Sequence, residues 1–299
     1  MIQRNALDRT AVVILLLCCA CWGLSQIAIK IANAGISPVL QAGLRSIGAA
    51  VLLLAWCRMH RIPLFGRDGT LWWGIAAGLL FALEFLLVYW GLSYTTASRG
   101  VVFVYTSPFV VALGAHAFVA NDRLTRLRLL GLCAAFAGLL LAFADSLRLP
   151  SRIELVGDVM CFAGAIAWGA TTVLIKASPL ARCRPEKTLF YQLGVSAIVL
   201  PAAARLLFGE PFALVPTAPV LLALGYQIVL VAFVSYATWF WLVAHYPASR
   251  LSAFSFLTPV FGVVFGALLL QETVTPLLIA AVALICAGIY LVNRPARQA

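Results

Sequence analysis

Charge is scarce in this chain. Only 10% of its 299 residues are Asp, Glu, Lys or Arg, and the acids number 10 against 21 bases. Soluble domains carry about 25% charged and about 45–50% apolar residues, whereas 64% of this chain is hydrophobic. One or two soluble cores cannot hide that much apolar surface, and so few charges cannot solvate an exterior. A bilayer as solvent removes both difficulties. Histidine is scarcer still: His60, His116 and His245 lie far apart. The chain also lacks His-Glu-x-x-His, Gly-x-Ser-x-Gly and any nucleotide-binding loop. Those gaps speak against hydrolases, metalloenzymes and ATP-driven pumps, so no cofactor, metal site or catalytic residue is expected. An integral-membrane enzyme without these signatures stays as an alternative from a different class.

Cysteine is plentiful by comparison, at eight. Cys18, Cys19, Cys21, Cys133, Cys161 and Cys286 sit inside apolar runs, where a thiol behaves as a small hydrophobe. Cys18-x-x-Cys21 has the spacing of a redox or metal pair, but no second Cys/His pair accompanies it. The formal net charge of +11 admits nucleic acid or membrane as partner. A nucleic-acid binder clusters its bases on one face or arm. Here they fill short breaks between apolar runs, so lipids are the expected partner and nucleic acid is not.

A spanning helix needs about 20 mostly apolar residues, because each rises 1.5 Å through a hydrocarbon core about 30 Å thick. Ten segments qualify: 12–33, 38–57, 71–91, 98–119, 126–144, 156–177, 187–208, 218–243, 249–271 and 275–293. Their continuous apolar character indicates helices rather than alternating barrel strands. Arg4 and Arg9 before the first give it the look of a signal peptide, but nine further spans favour a retained helix. Ten spans place both termini on one side. Lys30, Arg45, Arg99, Arg148, Arg152 and Arg205 fall on the other side, and the remaining 15 of the 21 bases fall with the termini. The positive-inside rule then predicts cytoplasmic termini. Trp56, Trp72 and Trp73 lie near that boundary, as an aromatic belt would.

The chain repeats itself. Trp22-Gly23 through Ile29-Lys30 matches Trp168-Gly169 through Ile175-Lys176 at an offset of 146. Ala97-Ser98-Arg99, Phe103 and Pro108 match Ala248-Ser249-Arg250, Phe254 and Pro259 at 151, and Ala137-Gly138 matches Ala287-Gly288 at 150. The collinear order defines two halves, residues 1–147 and 148–299, of five spans each. Five is odd, so the second half enters the membrane from the opposite side. Inverted repeats of this kind are a common architecture of secondary transporters, with the substrate site near the midplane between them.

These segments, with the Gln271-Glu272 ending of the ninth span, make the chain resemble the EamA-type branch of the drug/metabolite transporter superfamily. Within it, the chain looks most like bacterial inner-membrane exporters of aromatic amino acids. One departure is Asn121-Asp122, which stands where the second half has Gln271-Glu272. The resemblance implies an all-α basket of ten transmembrane helices around a central cavity, lined mainly by helices one, three, four, six, eight and nine. It implies export of a small-molecule substrate by alternating access, with aromatic and other neutral amino acids foremost. Another small metabolite or a cationic drug is the alternative cargo. Nothing in the sequence requires more than a monomer.

Candidate substrate-binding residues follow from position. Trp22 and Trp168 lie near the centres of their spans, where interfacial anchoring does not explain them. Their rings can stack on a ligand or simply pack, with Gly23 and Gly169 making room. Glu84 is the single carboxylate near the middle of a span, where a charge costs roughly 2.5–3.5 kcal/mol on insertion scales. It can bind an ammonium, carry a proton, or pair with Lys30 or Arg45. Gln26, Tyr89, Trp90, Tyr105, Thr172, Tyr226, Gln227 and Trp239 add polar and aromatic groups, each equally open to interhelical hydrogen bonding. Pro108 and Pro259 remove a backbone hydrogen bond in helices four and nine and free the carbonyls of Val104 and Ser255. They are candidate hinges, or they only shape the cavity. Arg99 and Arg250 begin those helices on opposite sides and read as gate latches or as snorkelling anchors. Gly74-x-x-x-Gly78 and Gly262-x-x-x-Gly266 read as packing motifs.

Overall fold

The computed structural model describes residues 7–66, 68–120, 122–147, 149–270 and 276–294, with side chains left out at 267–270. Arg4, Arg67, Asn121, Arg148, Gln271, Glu272 and Arg297 lie outside the described residues. Every regular element among the described residues is helical. Nine helices among the described residues are long and apolar enough to cross a membrane. A tenth, Arg126–Ala142, has 17 residues and completes the expected set.

In chain order the helices are α1 (Arg9–Ala32), α2 (Pro38–Met59), α3 (Leu71–Gly91), α4 (Ala97–Val104 and Ser107–Phe118) and α5 (Arg126–Ala142). The second half supplies α6 (Arg152–Ala177), α7 (Pro185–Leu206), α8 (Ala218–His245), α9 (Ala248–Phe254 and Leu257–Leu270) and α10 (Pro276–Asn293). Local chemistry sets their starts. Asp8 caps α1 by accepting from Ala11 N–H at 2.8 Å, and α2 and α7 open with Pro38 and Pro185. Ser151 and Glu154 form a reciprocal capping box, with bonds of 3.2 and 2.7 Å. That box starts α6 at Arg152, four residues before the first apolar position that hydropathy alone selects.

The packing repeats under exchange of halves. α1 lies against α9 as α6 lies against α4, and α8 lies against α1 as α3 lies against α6. The counterparts α2 and α7 pack on each other, as do α5 and α10. Apolar burial gives no net drive between helices in lipid, so close contact between small residues carries the association. Gly23 and Gly169 show this at equivalent crossings. A Cβ on Gly23 would sit 2.9 Å from the Thr258 carbonyl oxygen, and one on Gly169 would sit 2.6 Å from Val110 Cβ. Gly74 and Gly78 pack on Tyr191 and Val195 of α7. Gly266 meets nothing, so Gly262-x-x-x-Gly266 packs only through its first glycine.

α4 and α9 break at matching places. The interruption falls at Tyr105–Thr106 ahead of Pro108, and at Ser255–Phe256 ahead of Pro259. A missing amide and a ring clash one turn upstream account for both. α8 carries a different irregularity, the nine-residue π-helical stretch Gln227–Ser235. Such stretches are rare and often mark functional sites. No proline or glycine falls within it to signal it in the sequence.

Candidate functional site

A cavity of about 230 Å³ lies between the halves. Eight of the eleven sequence-selected binding residues line it: Trp22, Gln26, Glu84, Tyr89, Tyr105, Trp168, Thr172 and Trp239. Ile29, Val88, Tyr89 and Leu92 carry its wall toward the end of the bundle away from the termini. Trp239, Phe240 and Thr258 line it toward the end that holds them.

Aromatic rings build much of the wall, nine of the 22 lining residues. Trp22 meets Trp239 and Tyr236 edge-on, with centroids 5.5 and 6.3 Å apart. Its indole N–H donates to Ser235 Oγ at 2.8 Å, at the end of the π-helical stretch. Trp168 meets Tyr105 edge-on at 5.9 Å, and its indole N–H has no hydrogen-bond partner among the described residues. The break in α4 is what brings Tyr105 to the cavity. Glu84 makes no ion pair among the described residues, with Lys30, Arg45 or any other base.

Three selected residues lie elsewhere. The Trp90 indole donates to Tyr94 Oη at 3.2 Å on the exposed flank of α3. The Tyr226 hydroxyl donates to the Cys21 carbonyl at 2.8 Å, tying α8 to α1. Gln227 is fully buried, and its amide nitrogen donates to the Ala223 carbonyl at 3.3 Å.

Among the lining residues not selected from the sequence, Arg45 and Gln192 stand out as buried polar groups. Arg45, sorted above among the bases of the connecting segments, is instead buried two turns into α2, with its guanidinium 4.4 Å above the Phe85 ring. Gln192 of α7 is fully buried. Both helices are outside the set expected to line the cavity. A usable signal was present: Arg45 follows Pro38 by the same interval at which Gln192 follows Pro185.

The helix-end groups divide by end. At the end away from the termini, Arg99 pairs with Asp158 of α6, and Thr95 Oγ1 donates to the same carboxylate at 2.7 Å. This ties α4 to its packing neighbour α6. At the terminal end, buried Asp122 accepts from Ser249 N–H at 3.1 Å, from Ser249 Oγ, and from Arg128 at 3.4 Å. Arg250 is buried beside this cluster, with Nε and Nη1 unpartnered among the described residues. Lys176 donates to the carbonyls of Val243 and Tyr246 at 2.6 and 2.9 Å, and Tyr246 Oη donates to Asp8 at 3.0 Å. Outside the spans, Lys187 at the head of α7 holds the Asp68 carboxyl down to about 2 through a 2.6 Å contact. All eight cysteines are free.

Comparison with known proteins agrees with this architecture. A solved crystal structure superposes with a TM-score of 0.81 at 17% identity, over 95% of this chain and 96% of that one, a likeness of fold. A probable amino-acid metabolite efflux pump of Salmonella typhimurium is 29% identical over 279 residues, 90% of each chain. The Escherichia coli protein of the same description is 27% identical over 93% of each. An uncharacterized transporter of Bacillus subtilis is 26% identical over 90% of this chain and 92% of its own length. The profile of the EamA-like transporter family matches twice, at residues 9–144 and 155–294. A membrane-embedded bundle of two matching halves around one cavity, matched by that family over almost its whole length, makes this chain a member of the EamA-like transporter family.

Proposed function

We propose that the chain exports small metabolites, aromatic and other neutral amino acids foremost, across the bacterial inner membrane by alternating access. The carrying observation is a cavity between the halves, walled by Trp22, Tyr105, Trp168 and Trp239, into which the Glu84 carboxyl also faces, with no ion pair on it among the described residues. Rings take up an apolar or aromatic side chain, and a carboxylate takes its ammonium. The two halves, residues 1–147 and 148–299, rock about the cavity so that each end opens in turn, with Pro108 and Pro259 as hinges. With cytoplasmic termini, the present shape faces the far side of the membrane. A monomer suffices, because the cavity is formed within one chain.

Lys176 clamps the end of α8 in this shape, while its counterpart Lys30 is exposed. In the alternate shape Lys30 caps the end of α3 at Leu92 and Thr95, the positions that correspond to Val243 and Tyr246. Purified protein in liposomes tests the whole reading. Counterflow of phenylalanine, tryptophan, leucine, threonine and the carboxylate-free amine phenethylamine is followed with and without a pH gradient. Saturable flux of the bulky amino acids, lost in Glu84→Gln and in Trp168→Leu, supports the proposal. Flux confined to amines that lack a carboxylate replaces it with a cationic-drug exporter. No flux of any of these compounds overturns it.

A further inference from the structure

Arg45 and Gln192 occupy equivalent positions on α2 and α7, which pack on each other. Both side chains line the cavity. Arg45 is 3% exposed and Gln192 is 0%. Arg45 Nε and Nη2, and both amide atoms of Gln192, have no hydrogen-bond partner among the described residues. Unpartnered buried donors are costly, and a buried guanidinium without an anion is more so. The Phe85 ring supports the guanidinium plane and uses none of its N–H groups. Donors are therefore held at the cavity with no hydrogen-bond acceptor on them among the described residues.

A guanidinium edge matches a carboxylate, which accepts two parallel N–H bonds from arginine, and the Gln192 amide is a second unpartnered group lining the same cavity. Glu84, the carboxyl in the same cavity, makes no ion pair among the described residues. We infer that Arg45, assisted by Gln192, binds the carboxylate of the transported molecule. The site then selects zwitterionic α-amino acids over the corresponding amines and amides. This rests on the reading that the cavity is the transport site.

The test is ligand binding to the full chain in lipid nanodiscs. Phenylalanine, phenylalaninamide, phenethylamine and 3-phenylpropionate separate the two charges. Wild type is expected to bind the two carboxylates more tightly than their uncharged-end counterparts. Arg45→Gln is expected to weaken phenylalanine and 3-phenylpropionate by at least about tenfold and leave phenethylamine unchanged. Arg45→Lys keeps part of the preference, and Gln192→Leu gives a smaller loss in the same direction. If Arg45→Gln fails to give a monodisperse protein, the graded losses in the other two variants decide. Equal losses for carboxylates and amines overturn the inference, as does an unchanged preference or a wild type that binds neither carboxylate. Arg45-dependent binding of 3-phenylpropionate without phenylalanine flux overturns the amino-acid reading alone. Phenylalanine flux with undiminished preference in Arg45→Gln overturns this inference alone.

Discussion

At the end that carries the termini, α9 begins inside the protein, with every residue of Ala248–Phe254 buried. At the other end its counterpart, the first part of α4, buries only Arg99, Gly100 and Val102. The span Ala248–Gly266 is 72% buried, against 39% for Ala97–Phe118. Equivalent segments thus sit in unequal surroundings at the two ends of the bundle. The polar groups follow this inequality. Asp122, Lys176 and Tyr246 join elements across the terminal end, whereas Arg99 and Asp158 join two helices already in contact. Breaking the polar contacts at the terminal end is the direct way to test the difference.

The largest effect is expected at Asp122. Asp122→Asn removes the charge that compensates Arg128 and the buried Arg250, and disrupts the double contact with Ser249. Removing one member of a buried charged set costs about 3–5 kcal/mol. The terminal end should loosen, exposing Cys19, which is fully buried with its thiol against the Phe254 carbonyl. Reaction of Cys19 with a membrane-impermeant maleimide, located by peptide mass spectrometry, should rise well above the wild-type rate. An unchanged rate removes Asp122 from the seal.

Lys176 and Lys30 make the comparison directly. Lys176→Met deletes two charge-assisted bonds to carbonyls, about 1.5–3 kcal/mol of contact made in this shape. It should lower the melting temperature and raise Cys19 labelling. Lys30→Met removes an exposed side chain and should leave both unchanged while slowing counterflow, because its contact belongs to the alternate shape. Equal effects of the two variants on melting contradict that division.

The glycine crossings sharpen the contrast further. A Cβ at Gly23 meets backbone atoms of Thr258 and Gly262, which cannot turn aside, whereas one at Gly169 meets chiefly the Val110 side chain. Overpacking costs about 1–3 kcal/mol. Gly23→Ala should fall at the upper part of that range and Gly169→Ala at the lower, read as melting temperatures in the same detergent.

Much of this architecture was legible in the sequence. Scarce charge and continuous apolar runs dictate spanning helices, because lipid leaves the backbone no other way to satisfy itself. Trp22-Gly23 and Trp168-Gly169 announced the repeat, and Pro108 and Pro259 located the breaks in α4 and α9 to within a turn. Eight binding candidates reached the cavity because polar and aromatic residues at mid-span have few other places to go. Trp90, Tyr226 and Gln227 did not, since a period of 3.6 residues gives no hint of which face meets the cavity when every face is apolar. Arg45 was hidden by the opposite habit, that a base near a helix start belongs to the interface. The π-helical stretch and the unequal ends arise from tertiary packing, which a symmetric sequence pattern cannot express.

The smallest effect belongs to the Asp68–Lys187 contact, between the α2–α3 connection and the head of α7 at the closed end. The folded carboxyl titrates at about 2, below its ordinary value of 3.8. A depressed folded value means that the contact stabilises above the ordinary value and is lost as pH falls toward the folded one. Between pH 5 and 8 the contribution is constant, so it cannot act as a pH sensor in that range. Because Asp68 is well exposed, solvent screens the pair and its worth is small. Asp68→Asn should lower the melting temperature slightly and by the same amount at pH 5 and pH 8, with the difference from wild type shrinking below pH 4. A difference that changes between pH 5 and pH 8 would assign the titration to another group at that end. Equal Cys19 labelling in this variant and wild type would separate a peripheral tie from the Asp122 and Lys176 contacts that close the cavity.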